Sequence, residues 1–513
     1  MRLRCCLVLL FATAMTARAD DLKASIEALI DTPDYTQARW GILVVNAKTG
    51  ETVYARNPEK MISPASVTKL YSCAAALMTY GSDFRFETPV YRRGNVSENG
   101  FLRGDLILVA SGDLTMGGRT QADGSMAFKD GDHTYANSGL SHAELTETNP
   151  LAGLESLAKQ IAEAGIKEVQ GEVLIDDRLF AKTRGSGSGP DAVSPILIND
   201  NVIDITVTPG EKAGDRAKLA VRPATAFAQV DFEVVTTGEG GDPLITIRNT
   251  GTNAFSIRGR IPLKSKPQVR IYPVEDPATY ARCLFIESLR KAGVRVNAPL
   301  SQATRQDLPE SYDKLTKVAM FTSPPLSEAV KVILKVSHNL YASTLPCLVA
   351  AKNGKKTAEE GLAIQAKLLK ELGVPVKTIS FGGGAGGAAS DCVTPQATVQ
   401  LIQGMRKRPE WEAYKNGMPI LGVDGTLHDV LAKDRPGKGK AFGKTGTLIW
   451  HDSLNGRSLL RSKALAGVTT SKAGTDLTFA IFVNDVPLPV GVGSSREGKV
   501  LAKIVETIYQ NGP

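Results

Sequence analysis

The chain changes its sequence character twice along its 513 residues, and this division constrains the fold more than any other feature. Between residues 94 and 275, short apolar runs alternate with Gly, Asp and Asn, a pattern typical of β-strands joined by turns. The flanks carry helical patterns, including a helix that starts at Asp276-Pro277. We therefore predict a two-part α/β protein, with a β-rich domain at 94–275 inserted between 20–93 and 276–513.

Residues 1–19 have the three parts of a secretory signal peptide. Arg2 and Arg4 form the basic start, an apolar run follows, and Ala17-Arg18-Ala19 fits a cleavage site. The apolar run is too short to span a bilayer. We therefore expect export to the periplasm.

Composition excludes few functions. The apolar fraction of 42% and the charged fraction of 22% are ordinary for a globular protein. A net charge of +8 is too small an excess on this length to indicate nucleic acid. Four cysteines outside the signal lack zinc-site spacing, so disulfides and buried free thiols both remain open: Cys73, Cys283, Cys347 and Cys392.

Two polar segments have no clear period. Residues 117–146 are predicted to be a loop, and His133 and His142 lie there among acidic residues. A metal site and an exposed polar loop both fit this pattern, and exposed loops are the commoner case. Residues 183–190 are rich in Gly and Ser, which predicts a flexible linker or loop.

A serine and a lysine stand three residues apart at the start of a predicted helix. Pro64 suits the first helical turn, and the spacing puts Ser66 and Lys69 on one face. A lysine whose pKa is lowered by burial can take the proton from a serine hydroxyl. The helix N-terminus favours a developing oxyanion. Because such pairs are common by chance, the pair alone identifies no site.

A second motif, Ser337-His338-Asn339, is predicted within a helix that begins near Ser327. The Ser337 hydroxyl could relay a proton between Lys69 and a leaving amine. The Asn339 amide could both donate to and accept from a peptide unit. Alone, this tripeptide is uninformative.

A third motif, Lys444-Thr445-Gly446-Thr447, precedes two apolar residues and is predicted to lie on an edge strand. Lys444 and a threonine hydroxyl make a carboxylate site. Gly446 removes a side chain where a substrate backbone must approach. The N–H groups of Thr447 and Ser66 could together form an oxyanion hole.

The order Ser-x-x-Lys, Ser-x-Asn, Lys-Thr-Gly is typical of penicillin-binding proteins and serine β-lactamases. Over nearly all of its mature length, the chain resembles the D-alanyl-D-alanine carboxypeptidase/endopeptidases of the penicillin-binding protein 4 type (low-molecular-mass class C, peptidase family S13). Ser66 and Ser337 are 271 residues apart, room for an inserted domain that a β-lactamase lacks. Four further stretches carry the closer resemblance: 106–113, 171–177, 197–202 and 422–427.

This resemblance implies a transpeptidase-like domain, an antiparallel sheet flanked by helices, that needs no metal or cofactor. It implies acyl transfer from peptidoglycan stem peptides to water, with β-lactams as inhibitors. Ser66 would be the nucleophile, Lys69 its base, and Ser337 and Asn339 the relay and clamp. The substrate would be bound by Lys444, Thr445, Gly446 and Thr447, the terminal carboxylate by the lysine and the two threonines. Asp176 is similar to an aspartate that meets the diaminopimelate side chain, and Asp177 fits equally well.

Three departures from the family pattern stand out. Gly383-Gly384-Ala385-Gly386-Gly387-Ala388 replaces Asp-Gly-Ser-Gly-Leu-Ser, and Ser343 stands where Glu is common. Residues 449–461, with Trp450 and His451, form an insertion that we predict to be a surface loop.

The lost Asp and Ser residues motivate one alternative, a peptidoglycan-binding scaffold with weak turnover. A β-lactamase is another, but it lacks a convincing Glu to activate water. Carboxypeptidase and endopeptidase action and the oligomeric state all stay open.

Overall fold

The computed structural model describes residues 21–138, 143–300 and 307–513. The predicted signal peptide and His142 lie outside these residues. The described chain divides into two compact units. The first comprises the residues up to Ser82, Val330–His338 and Glu359–Pro513, and the second comprises Asp83–Ala329 and Asn339–Ala358.

The helices and strands are numbered in chain order. The helices are 21–30 (α1), Thr68–Tyr80 (α2), Ala152–Glu163 (α3), Pro277–Lys291 (α4), Leu326–Lys335 (α5), Asn339–Lys352 (α6), Ala358–Glu371 (α7), Pro395–Met405 (α8), Trp411–Gly417 (α9) and Ser495–Asn511 (α10). The strands are Arg39–Asn46 (β1), Thr52–Arg56 (β2), Glu87–Val96 (β3), Phe101–Val109 (β4), Glu168–Val169 (β5), Val173–Asp176 (β6), Thr183–Arg184 (β7), Ala192–Val193 (β8), Val202–Thr208 (β9), Lys218–Arg222 (β10), Gln229–Glu239 (β11), Leu244–Gly251 (β12), Ala254–Leu263 (β13), Gln268–Pro273 (β14), Arg295–Val296 (β15), Thr316–Thr322 (β16), Ala441–Asp452 (β17), Arg457–Thr470 (β18) and Asp476–Pro487 (β19).

The first unit is built on a five-stranded antiparallel sheet in the order β17-β18-β19-β1-β2. The central strand β19 is buried along most of its length, which fits its continuous apolar run. Helices α1 and α10 present apolar residues at helical spacing to a shared core with the sheet: Leu22, Ile26, Ile30, Leu501, Ile504, Val505 and Ile508. This confirms the predicted α/β class, an antiparallel sheet flanked by helices. It also leaves β17 as an edge strand, as predicted for the Lys-Thr-Gly-Thr motif.

The second unit is rich in strands, and its largest sheet has the order β15-β5-β4-β3-β16, with β6 also paired to β4. Smaller sheets are formed by β10-β9-β14 and by β11-β13-β12. The predicted boundaries at 94 and 275 differ from the borders of this unit. The reason is that β3, which starts at Glu87, pairs with both β4 and β16, so strands from both sides of the predicted insert share one sheet.

Two predicted elements need correction. The helix predicted from near Ser327 through Asn339 is two helices, because Ser337 has φ of 63°, which cannot continue a right-handed helix. Residues 449–461, predicted to be a loop, instead extend β17 and β18 into a long hairpin.

The structure also decides between disulfides and buried thiols for the cysteines. No disulfide joins the cysteines that the structure describes, Cys73, Cys283, Cys347 and Cys392, and all but Cys392 are buried. In the described part of the chain, no helix combines the length and apolarity needed to cross a membrane.

Candidate active site

Ser66 lies in one turn of 3-10 helix, Ala65–Val67, which runs directly into α2. The residue before it, Ala65, has φ of 44°, a strained backbone that the surroundings must hold. Asn484 supplies this support, since its amide oxygen accepts from Ser63 N at 2.8 Å and its amide nitrogen donates to Ser63 O at 3.1 Å. The Ser462 hydroxyl donates to the same carbonyl at 2.6 Å. Strands β18 and β19 therefore fix the turn that carries Ser66.

Lys69 lies on the first turn of α2 and is fully buried. Its Nζ donates to Ser66 Oγ at 2.8 Å and to the Ala385 carbonyl at 2.6 Å. Burial lowers the pKa of Lys69 to about 7, although the charges of Cys73 and Asp391 act in the opposite direction. A large fraction of this amine is therefore neutral near neutral pH and able to accept the Ser66 proton.

The Gly/Ala-rich segment at 383–388 contributes to the site through its backbone. Its Ala385 carbonyl holds Lys69, and the Gly384 carbonyl accepts from the Ser72 hydroxyl at 2.7 Å. Gly386 has φ of 91°, and a Cβ there would lie 2.0 Å from Ala65 O, so only glycine fits.

A buried carboxylate ties the two ends of this segment together. Asp391 accepts from Gly382 N at 2.8 Å and from Ala388 N at 2.9 Å. Burial raises the pKa of Asp391. The sequence departure at 383–388 therefore leaves the contact with Lys69 in place.

Ser337 and Lys444 form a second hydroxyl–amine pair. Lys444 is fully buried on β17, and its Nζ donates to Ser337 Oγ at 2.8 Å and to the Thr445 carbonyl at 2.7 Å. Burial and the neighbouring Lys69 ammonium hold the pKa of Lys444 well below its usual value. Ser337 lies at the break between two helices, and its positive φ is a strained backbone conformation. Residues with such strain cluster at functional sites.

Strand β17 passes directly beside the Ser66 turn. A Cβ on Gly446 would lie 2.3 Å from Pro64 O and 3.2 Å from Ser66 N, so this approach requires glycine. The Thr445 hydroxyl donates to Thr426 Oγ1 at 2.7 Å, and Thr447 is exposed.

The loop that carries Thr426 is itself fixed by a buried lysine. Lys335 Nζ lies 2.6 Å from Asp424 Oδ2. The first unit therefore brings together Ser66, Lys69, Ser337, Lys444, Thr445 and Gly446.

Asn339 begins α6 and belongs to the second unit. Its backbone N–H donates to Tyr135 Oη at 3.1 Å, and its side-chain amide donates to Ser188 O at 2.9 Å. Ser188 lies in the segment predicted to be a flexible linker or loop, and this segment is the loop at the tip of the β7–β8 hairpin.

Asp176 ends β6 in the second unit and is buried. Its carboxylate accepts from Arg178 Nε at 2.8 Å, from Arg178 Nη2 at 2.7 Å and from Tyr312 Oη at 2.6 Å. Burial raises its pKa, but these hydrogen bonds outweigh burial and hold the pKa below its ordinary value. Asp177 forms an ion pair with Lys182 at 2.8 Å. Both carboxylates are thus engaged by cations of the same unit.

The prediction that His133 sits in an exposed loop is wrong. His133 is buried, with Nε2 2.6 Å from Asp200 Oδ2 and Nδ1 2.6 Å from Asp204 Oδ1. Burial lowers its pKa, but the two carboxylates outweigh burial and raise it to about 10. Arg119 pairs with Asp200 at 2.7 Å, and the hydroxyl of Tyr341 also donates to Asp200. The histidine is thus a cation within a buried ionic cluster.

Comparison with known proteins decides the family. The sequence profile described as the D-Ala-D-Ala carboxypeptidase 3 (S13) family matches residues 22–502. The chain belongs to this family.

Named relatives and solved structures agree with this assignment. A D-alanyl-D-alanine carboxypeptidase of Actinomadura sp. (strain R39) is 26% identical over 466 residues, covering 87% of this chain and 80% of the relative. D-alanyl-D-alanine carboxypeptidase DacB of Haemophilus influenzae is 23% identical, covering 89% and 88%. The crystal structure of penicillin binding protein 4 (dacB) from the same organism matches with a TM-score of 0.70 at 20% identity, covering 95% of this chain and 99% of that one. At this identity the structural match shows a shared fold.

Sequence reasoning missed several residues that support this S13-family site. Asp391 acts on Lys69 through its charge, and Asn484 holds Ser63 in the turn that carries Ser66. Both act from positions far away along the chain, where no motif marks them. The His133 cluster had a weak signal, since residues 197–202, which supply Asp200, already resembled the family.

Proposed function

We propose that this chain is an exported serine peptidase that removes the terminal D-Ala from peptidoglycan stem peptides through an acyl-enzyme on Ser66. One observation carries the proposal: Ser66 Oγ accepts a hydrogen bond of 2.8 Å from the buried amine of Lys69. Family membership supplies the substrate class, and the periplasm is the compartment where that substrate occurs.

The first half of the reaction forms the acyl-enzyme. Neutral Lys69 takes the Ser66 proton as Oγ attacks the carbonyl carbon of the penultimate D-Ala. The negative charge that develops on the carbonyl oxygen is stabilised by the N–H groups of Ser66 and Thr447. The close approach of Gly446 to Ser66 N supports this arrangement.

The second half releases D-Ala and then hydrolyses the acyl-enzyme. The hydroxyl of Ser337, bound to Lys444, passes a proton to the leaving amine and receives one in turn from the Lys69 ammonium, which returns Lys69 to its neutral form. Water then attacks the acyl carbon, neutral Lys69 takes its proton, and Lys69 returns that proton to Ser66 Oγ as the acyl bond breaks. By resemblance to the family, Asn339 holds the peptide unit, and either Asp176 or Asp177 meets the diaminopimelate side chain.

The buried position of Lys444 argues for a role in this relay. Its Nζ is already bound to Ser337 and to the Thr445 carbonyl, so a direct contact with the terminal carboxylate would have to compete with both.

The intact Ser66–Lys69 contact favours turnover over a binding scaffold. β-Lactams should acylate the same serine, because they present a reactive carbonyl and a carboxylate in one molecule. Endopeptidase action on cross-links is the second candidate, and its test needs only a different substrate.

Two substrates test the proposal. The protein is incubated with a stem pentapeptide and with a cross-linked muropeptide, and the products are measured by mass spectrometry. Release of one D-Ala from the pentapeptide is expected and should be lost in Ser66→Ala but kept in Ser453→Ala, which changes an exposed serine. Cleavage of the cross-link alone would favour the endopeptidase. No cleavage of either by a folded protein would refute both.

A further inference from the structure

Lys463 lies on β18 directly opposite Thr447 of β17. Side chains at directly paired positions of antiparallel strands share one face of the sheet and interact. Lys463 Nζ donates to Thr447 Oγ1 at 2.9 Å. A second lysine therefore stands beside the Lys-Thr-Gly-Thr strand, and no sequence motif pointed to it.

Among residues 21–138, 143–300 and 307–513, no carboxylate forms an ion pair with the ammonium of Lys463. Its side chain is half-buried, and its one hydrogen bond within the described residues is the one to Thr447. Burial lowers its pKa to about 8, while Glu497 and Asp429 act in the opposite direction. Glu497 is itself bound by Arg496 at 2.6 Å. Because partial desolvation of a charge is unfavourable unless an opposite charge approaches, this position suits an anion supplied from outside the chain.

The two lysines of this strand pair point to different faces. Alternate side chains of a strand lie on opposite faces, so Lys444 and Gly446 share one face, and Thr445 and Thr447 share the other. Lys444 is fully buried and is bound to Ser337, whereas Lys463 is on the face of the two threonines.

We propose that Lys463, together with the Thr447 hydroxyl, binds the free terminal carboxylate of the substrate. This proposal rests on the proposed function. It identifies Lys463 as the cation by which the protein prefers a peptide with a free C-terminal carboxylate over one with a neutral end. Lys444 then keeps its contact with Ser337 throughout the reaction.

The test compares two peptides that end in D-Ala-D-Ala, one with a free carboxylate and one with a C-terminal amide. The full-length protein is assayed beside Lys463→Met, Lys463→Arg and Lys499→Met. The last is a matched control, because Lys499 is an exposed lysine on α10. kcat and KM are measured for both peptides, and thermal unfolding checks that each variant is folded.

Lys463→Met should lower kcat/KM for the free-acid peptide by about 10- to 150-fold, the range of a charge-assisted hydrogen bond. It should leave kcat/KM for the amide peptide nearly unchanged. Lys463→Arg should keep most of the preference for the acid, and Lys499→Met all of it. An unchanged acid-to-amide ratio in Lys463→Met, or an equal loss on both peptides, would refute the role of Lys463 alone. A folded wild-type protein that cleaves neither peptide would refute the proposed function as well.

Discussion

At the scale of single residues, the site depends on removing two lysine ammonium groups from water. Lys69 and Lys444 are both fully buried, and each donates to a serine hydroxyl at 2.8 Å. Desolvation disfavours the charged form of an amine, so burial lowers the pKa of both lysines, and that of Lys69 falls to about 7. The nucleophile and the relay serine thus each have an amine partner.

The pKa of Lys69 leads to a prediction about pH. Since this pKa is lowered to about 7, the neutral base form increases as pH rises through 7. The rate of acylation by penicillin should therefore rise with a midpoint near pH 7. Stopped-flow measurement of acylation between pH 5 and 9 checks this.

Asp391→Asn provides a directed control for that experiment. The Asp391 charge raises the pKa of Lys69, so its removal should move the midpoint to lower pH. A rate that does not depend on pH across this range would contradict the role of Lys69 as the base.

At the scale of elements, the site is held by the close contact between β17 and the Ser66 turn. Gly446→Ala would place a methyl group 2.3 Å from Pro64 O, and backbone must shift to relieve it. Since displacement of reacting groups by about 1 Å can cost about a hundredfold in rate, we expect a loss of that order in kcat/KM. Steady-state kinetics check this, with Gly493→Ala as the control, because a Cβ there meets nothing within 4 Å. Wild-type kinetics in Gly446→Ala would argue against the contact.

The extended β17–β18 hairpin leads to a prediction about substrate size. Trp450 and Leu454 are exposed on it, and Arg461 lies 5.5 Å from the centre of the Trp450 ring. Because the hairpin continues directly from Thr447, we expect it to narrow the opening through which bulky cross-linked peptides reach Ser66.

Shortening the hairpin tests this idea. Residues 450–459 are replaced by Asn-Gly, which joins the paired residues Ile449 and Leu460 through a two-residue turn and keeps the buried Leu460. The ratio of endopeptidase to carboxypeptidase activity should rise, with Ser66 acylation retained. An unchanged ratio in a stable variant would leave the hairpin without this role.

Some parts of the fold and of the site could be predicted from the sequence, and others could not. The Ser66 helix, the inserted strands and the Lys-Thr-Gly-Thr edge strand were predicted because their patterns are local. The break at Ser337 was missed, because a left-handed residue inside a helical pattern leaves no periodic signal. Asp391 and Asn484 were missed for another reason: they act on Lys69 and on Ser63 from segments that are distant in the chain. Lys463 was missed because its contact with Thr447 depends on the register of two paired strands, which no motif marks.

At the scale of the whole molecule, the second unit contains a buried ionic cluster that ties distant segments together. His133, Asp200 and Asp204 belong to it, and so do Arg119 and Arg222. Tyr135, two residues after His133, accepts from the first N–H of α6. The cluster thus supports the helix that begins with Asn339.

This cluster predicts how stability depends on pH. The pKa of His133 is raised from 6.5 to about 10 in the folded state, so its contribution is fully present below pH 6.5 and is lost as pH rises through 10. The difference in Tm between wild type and His133→Gln should therefore be largest near pH 6 and shrink towards pH 10. Differential scanning calorimetry across this range checks it. A difference that grows with pH would mean that His133 is neutral in the folded protein.

The central claim is that Ser66 is the nucleophile activated by Lys69, and acylation by penicillin tests it most directly. The protein is incubated with penicillin, and intact mass is followed by peptide mapping in wild type, Ser66→Ala and Lys69→Met. We predict one penicilloyl adduct, located on Ser66, that is absent from Ser66→Ala and forms far more slowly in Lys69→Met. An adduct on another serine, or equal labelling of the three proteins, would contradict the account.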